Sequence, residues 1–207
     1  MMEIIDEYRT VSVFCREEIK VKGSRFIASA DFAGSVDDAD LFIEKISSEF
    51  HDATHNCYAY RVGLDTDINE RFNDNGEPSG TAGIPILNSI KSKEMTNIIC
   101  VVTRYFGGTK LGTGNLARAY SSSAIAALDK SKPVVKILKD NIEFRAPADM
   151  VSTVYHVMNK SNGKMIEETY VPEGKFIVRL RLSKIKPFMD MLTEATNGKA
   201  KFTQGQE

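Results

Sequence analysis

No apolar run in the sequence approaches the roughly 20 residues that a membrane span requires. The N-terminus, MMEIIDEYRT, is acidic and has no apolar stretch of the secretory-signal kind. Cysteine is scarce: Cys15, Cys57 and Cys100 are odd in number, widely spaced and form no CxxC pair. That argues against a disulfide framework and for a reducing compartment. Excess charge is also missing. The net charge is −1, so the chain is not a polycation, and no internal repeat or low-complexity tract interrupts it. These absences predict a soluble, cytoplasmic protein with no membrane partner.

What is present supports a packed core. Of the 207 residues, 42% are hydrophobic, enough for one large or two small domains. Charge is uneven along the chain: residues 136–207 hold 12 Lys+Arg against 9 Asp+Glu, and residues 1–135 hold 15 against 19. A small positive excess at the C-terminal end permits an anionic partner without requiring one.

Periodicity predicts strands over 8–33, with TVSVFC alternating and SRFIASADF following the Gly23 turn signal. A helix is expected over 36–50, with Ser35 as N-cap and Ala39, Phe42, Ile43, Ile46 and Phe50 on one apolar face. HNCYAYRVG reads as a strand over 55–63, and a polar, glycine-rich loop covers 64–80. A second helix is expected over about 81–92, with Pro85 in its first turn. NIICVVTRY is a buried strand. A third helix follows the glycines, with Leu116, Tyr120, Ser123, Ala124 and Ala127 recurring at helical spacing. DKSKPVVK, at 129–136, is the best boundary, dividing the chain into domains 1–133 and 136–207. The second domain reads as strand 137–145, helix 147–160, strands 164–170 and 175–182, helix 184–197 and strand 199–203. That βαββαβ order is ferredoxin-like.

The segment RYFGGTKLGTGNLARAYSSSA, Arg104 to Ala124, holds four glycines and three cations. No Asp or Glu occurs from Met95 to Leu128. A P-loop needs its lysine directly after the last glycine; here Lys110 precedes Gly112 and Gly114. GTGNLA fits G-x-G-x-x-A, but the candidate acid, Asp129, sits at a helix end rather than a strand end. Glycines and a helix N-terminus favour an anion, and they serve a plain turn equally well. Both readings stay open on composition.

NDNGEPSGTAGIP, at 73–85, has a turn signal at Asp74-Asn75-Gly76, and Ser79 and Thr81 are candidate N-caps. A metal or acid/base role for Asp74 and Glu77 lacks a third ligand. His51, His55 and Cys57 lack the fourth ligand that zinc requires. Cys57 as a nucleophile has only His55 as a local base. No metal and no cofactor are expected.

ATHNCYAY, NDNGEPSGTAGIPIL and VVTRYFGGTKLGTGNLARAYS, in this order, resemble the Impact family, including its bacterial YigZ-type members, over about residues 15–130. The resemblance implies an α/β (α+β) architecture: a first domain like the second domain of ribosomal protein S5, with helices on one side of a sheet, then a ferredoxin-like domain similar to one in elongation factor G. It also implies a link to translational control. Carried over by position, His55, Asp74, Glu77, Ser79, Gly80, Thr81, Arg104, Phe106, Gly107, Gly108, Lys110, Gly112, Gly114 and Arg118 would line the family's shared surface. Asn75 stands where an acid is common and Asn115 where glycine is common.

The leading expectation is a non-catalytic, translation-associated module that binds RNA, the ribosome or a translation-control protein, with room for a phosphate-bearing ligand. The alternative is an enzyme of phosphoryl or nucleotide chemistry; a third reading is a purely protein-binding regulator. The two loops are expected to converge, with Glu77, Ser79, Arg104 and Lys110 bordering one groove and His55 near it. In the second domain, alternation predicts a free sheet face bearing Arg145, Arg179, Arg181, Lys199 and Lys201 against Glu143 alone, which serves either as an ordinary charged surface that keeps the domain soluble or as a contact for a phosphate backbone.

Overall fold

A computed structural model describes residues 6–170 and 174–203. The chain divides into two compact units, Tyr8–Lys136 and a second running from Ile137 onward that also takes in Asp6 and Glu7.

In the first unit, β1 (Glu7–Thr10) is followed by an irregular stretch and then by β2 (Cys15–Val21) and β3 (Ser24–Phe32). The alternation of TVSVFC predicts one strand there. Instead the chain breaks at 11–14: Val11 drops into the core, and the Ser12 hydroxyl donates to the carbonyls of Ser131 (3.2 Å) and Lys132 (3.1 Å). Lys22 and Gly23, at φ 46° and 85°, make the tight β2–β3 turn, and such a left-handed pair matches the twist of a hairpin. Helix α1 (Val36–Glu49) starts where expected, with Ser35 and Asp38 forming a reciprocal capping box. β4 (His55–Val62) pairs with β5 (Asn69–Asn73), a strand that falls inside the stretch expected to be loop. Helix α2 (Gly83–Ser92), β6 (Ile98–Tyr105), α3 (Thr113–Lys130) and β7 (Val134–Ile137) follow.

The main sheet is antiparallel, in the order β2-β3-β6-β4-β5, and β1 pairs with β7 as a separate ribbon. Strand β6 lies at the centre, which explains its unbroken apolar run. Ile98, Cys100 and Val102 pack under α2 and α3, whereas Ile99 and Val101 join Tyr58, Tyr60 and Phe42 of α1 on the other face. Helices therefore cover both faces, not one: α1 lies opposite α2 and α3.

The second unit contains β8 (Lys139–Ala146), α4 (Val151–Lys160), β9 (Lys164–Thr169), β10 (Gly174–Arg181), α5 (Leu182–Ala195) and β11 (Lys201–Phe202). The strand order β11-β8-β10-β9, all antiparallel, is ferredoxin-like. Phe144, Phe176, Val178, Leu180, Phe188 and Leu192 are fully buried or nearly so, and the Phe144 and Phe176 rings stack at 5.4 Å.

Candidate functional site

Register places Phe26, Arg104 and His55 in one row across β3, β6 and β4, on the face covered by α2 and α3. Arg104 is the unusual member. A guanidinium at the end of a central strand is only 5% exposed and must find partners in place of water. Its Nη1 donates to Glu77 Oε1 at 2.6 Å and its Nη2 to Ser24 Oγ at 3.3 Å. Its plane lies between the rings of Phe26 (5.4 Å) and Phe106 (5.5 Å), the environment a delocalised cation favours. Nε is buried without a partner.

Glu77 is equally enclosed. Its Oε1 also accepts from the Tyr120 hydroxyl at 2.7 Å, and its Oε2 lies 3.8 Å from His55 Nε2. A tight turn delivers it there, with Asn75 and Gly76 at φ 44° and 86° and Glu77 N donating to Asp74 O. Asparagine suits this left-handed position. Its side chain accepts from Asn56 N (2.8 Å), and its carbonyl accepts from His55 Nδ1 (2.7 Å). Asn75 is thus a structural piece of this turn. Asn115 acts similarly on the other loop, donating to the Leu111 carbonyl and accepting from Arg118.

Asp74 is committed to the backbone. Its two oxygens accept from Gly80 N (2.8 Å), Ala82 N (2.9 Å) and Gly83 N (2.8 Å). It thereby caps α2, whose cap position, Ala82, has no side chain to do so. Ser79 is exposed and Thr81 donates to the Pro78 carbonyl, so neither candidate N-cap plays that part. Burial works to raise the Asp74 carboxyl, but the three N–H donors outweigh it and hold the group below its ordinary value of 3.8. The sign follows from that depression: the stabilisation is fully present above about pH 4 and is lost as pH falls through the lower folded-state value. Asp74→Asn, which exchanges one acceptor for a donor, should cost about 1–3 kcal/mol at neutral pH and flatten the acid limb of the stability curve. Urea midpoints measured across pH for both proteins check this; parallel curves would contradict it.

Cys57 donates to the Asp74 carbonyl (3.0 Å) and to the Tyr120 oxygen (3.3 Å). Burial pushes its thiol up to about 12, and His55 points to Glu77, so the thiol is not an activated nucleophile. Among the described residues no group of three or more His, Cys, Asp or Glu side chains is placed to hold a metal ion, and His51 is exposed in the turn after α1.

The two loops meet. A cleft of about 340 Å³ opens between Glu77 and Pro78 on one side and Phe106, Lys110, Leu111, Gly112 and Thr113 on the other, with Arg104 and Leu116 in its wall. Gly112 is the cap residue of α3, at φ 74°, and no side chain caps that helix end; Gly112 and Thr113 place the start of the helix in the cleft wall. Ser79 is not among the lining residues, and His55 reaches the site only through Glu77. Gly107 packs against the β2–β3 turn: a Cβ there would sit 1.9 Å from the Gly23 carbonyl carbon. Gly108 has open space around it, and Gly114 meets only the Arg118 side chain. Gly80 holds φ 76° beside Asp74. Arg118 lies outside the cleft, in a separate hollow with Lys22. Sequence reasoning missed Pro78, Leu111, Thr113, Leu116, Ser24 and the Tyr120 hydroxyl. Leu111, an apolar residue stranded among glycines, was the available signal.

The C-terminal sheet face differs from expectation. Arg145, Arg179 and Lys201 are exposed, but Lys199 precedes β11 and is not in the strand. Acids share the surface beyond Glu143: Glu167 lies opposite Ile177, and Arg181 is 3.7 Å from Asp6 and 3.5 Å from Glu7. Glu143 is paired with Lys175 at 3.2 Å, and Arg179 donates to Asn141.

An antiparallel sheet bearing a glycine-loop cleft, followed by a ferredoxin-like unit, defines a two-unit class of α/β protein. Within it, this chain belongs to the Impact family: the Impact N-terminal domain matches residues 22–128. The chain is 34% identical over 203 residues to the IMPACT family member YvyE of Bacillus subtilis, covering 98% of this chain and 93% of that one. It is 31% identical over 180 residues to the IMPACT family member YigZ of Escherichia coli, covering 86% and 88%. A crystal structure described as that of a hypothetical protein matches 99% of this chain and 100% of its own, at 27% identity and a TM-score of 0.68. Among the described residues no helix is long and apolar enough to cross a membrane.

Proposed function

We propose that the chain is a non-catalytic, translation-associated module whose N-terminal cleft binds single-stranded RNA. One observation carries the reading: the ionisable groups around the cleft satisfy one another, while its free polar groups suit an anion. Glu77 is taken by Arg104 and Tyr120, and Asp74 by three backbone amides. Phosphoryl transfer needs a metal-holding carboxylate and a base beside the transferred group, and both candidate carboxylates are committed elsewhere. What remains is exposed Lys110, the N–H groups at the start of α3, and Phe106, which is 47% exposed. A cation and oriented N–H donors suit a phosphate. An exposed ring beside them suits a base, whose face stacks without regard to sequence.

A labelled single-stranded RNA, titrated into the full chain and followed by fluorescence anisotropy, tests this. Phe106→Ala should weaken binding by about 1–3 kcal/mol. Lys110→Ala should weaken it and shallow the dependence of log affinity on log salt by about 0.7. Absence of binding by the wild type at low salt, or variants indistinguishable from it, would remove the reading.

A further inference from the structure

The cleft accounts for Lys110 but not for Arg118 or Lys22. These two border a second hollow of about 240 Å³, formed with Val21, Asn115 and Ser122 between the β2–β3 turn and the outer side of α3. Both cations are exposed, and among the described residues neither has a carboxylate within salt-bridge distance; the same is true of Lys110. Elsewhere on this unit seven surface cations are paired, Arg16 with Glu49, Arg25 with Glu18, Arg61 and Lys91 with Glu70, Arg71 with Asp40, Lys93 with Asp129 and Lys130 with Glu17, whereas Arg9, Lys20, Lys45, Lys132 and Lys136 have no carboxylate partner among the described residues.

The two hollows are neighbours by construction. Thr113 lines the cleft, and Arg118 lies five residues further along the same helix, about 7.5 Å along its axis and about 140° around it. A strand passing from one hollow to the other therefore winds around the start of α3. The turn carrying Lys22 is held against the glycine loop because Gly23 and Gly107 pack backbone on backbone, with Gly107 N donating to Ser24 Oγ. The backbone that carries Lys22 is therefore held beside the glycine loop.

Building on the cleft reading above, we infer that the bound strand leaves the cleft over Lys22 and Arg118, so that the site takes an oligonucleotide of several residues rather than a mononucleotide. Phosphate at the cleft meets Lys110; the following phosphates meet Arg118 and Lys22. The path reads backbone charge only, since the second hollow offers no aromatic ring for a base.

The test uses the full chain, a labelled eight-residue oligouridylate and unlabelled uridine monophosphate as competitor. The variant is Lys22→Asn with Arg118→Gln; asparagine keeps the left-handed turn position that Lys22 occupies. The double variant should bind the oligonucleotide several-fold more weakly, with a salt slope shallower by about 1.4, the value for two contacts on a single strand. Its affinity for uridine monophosphate should equal that of the wild type. If the wild type binds the oligonucleotide and the double variant matches it in affinity and slope, the strand takes another path while the cleft reading survives. If the wild type binds neither probe, both fall together.

Discussion

Replacing Arg104 by methionine should destabilise the N-terminal unit by about 3–5 kcal/mol, the cost of leaving the other half of a buried ion pair unpaired. Glu77 would keep the Tyr120 hydroxyl but lose the 2.6 Å contact with Nη1, in a pocket where its side chain is 4% exposed. The pair itself contributes far less than this figure, because desolvating both charges offsets most of their attraction. The double substitution Arg104→Met with Glu77→Gln separates the two quantities. It removes both charges, keeps an acceptor for Tyr120, and should recover most of the loss. Hydrogen exchange at the amides of β4 and β6 reports on this unit without interference from the other. A methionine variant within about 0.5 kcal/mol of wild type, the range of an ordinary surface change, would mean that the pair is not held as described.

Gly107→Ala should be nearly as damaging, for a steric reason. The new methyl would lie 1.9 Å from the Gly23 carbonyl carbon, 2.1 Å from its oxygen and 2.3 Å from Ser24 N. These are backbone atoms and cannot swing aside as a side chain can, so the hairpin turn or the loop must move. The expected cost is at or above the top of the about 1–3 kcal/mol range for overpacking. Displacing Ser24 also removes the acceptor of Gly107 N and of Arg104 Nη2, so any binding at the cleft should fall with stability. Gly108→Ala is the comparison. It meets no atom within 4 Å and carries only the strain of φ 84°, about 1–2 kcal/mol. Thermal unfolding of the two variants should rank Gly107→Ala well below Gly108→Ala; the reverse order would contradict the packing described.

The sequence was readable where one face of an element is buried and the other is not. Helix α1 announced itself through Ser35, Asp38 and the spacing of Ala39, Phe42 and Ile46, all local features. The ferredoxin-like unit was legible because its strands alternate cleanly between core and solvent. Strand β5 was not, since every residue of NERFN is exposed and an edge strand with no buried face has no alternation to detect. The cap of α2 was hidden for a different reason. Asp74 lies eight residues before Ala82, and only the intervening turn brings its carboxylate to that helix end. The site was legible as two loops rich in glycine and charge. That Glu77 and Arg104 would neutralise each other depends on β6 and the turn after Asp74 meeting in space, which no spacing rule reports. Arg118 lines the second hollow and not the cleft, because helical periodicity carries it around α3 from Thr113.

The β1–β7 ribbon bears on how the unit closes. β1 ends at Thr10 and its partner β7 begins at Val134, so this pairing closes a loop that spans almost the whole unit. Closing so long a loop is entropically unfavourable in a free chain; once the five-stranded sheet has formed, both ends are already positioned and the closure comes cheaply. On its other side β1 is held by a segment nearer in sequence: Arg9 bridges Met95, Thr96 N donates to the Arg9 carbonyl at 2.9 Å, and the Thr10 hydroxyl donates to the Asn97 carbonyl at 2.9 Å. The same geometry governs dissection: cutting the chain after Lys132 removes β7 and leaves β1 only its contacts with residues 95–97, whereas a cut after Ile137 retains both sides.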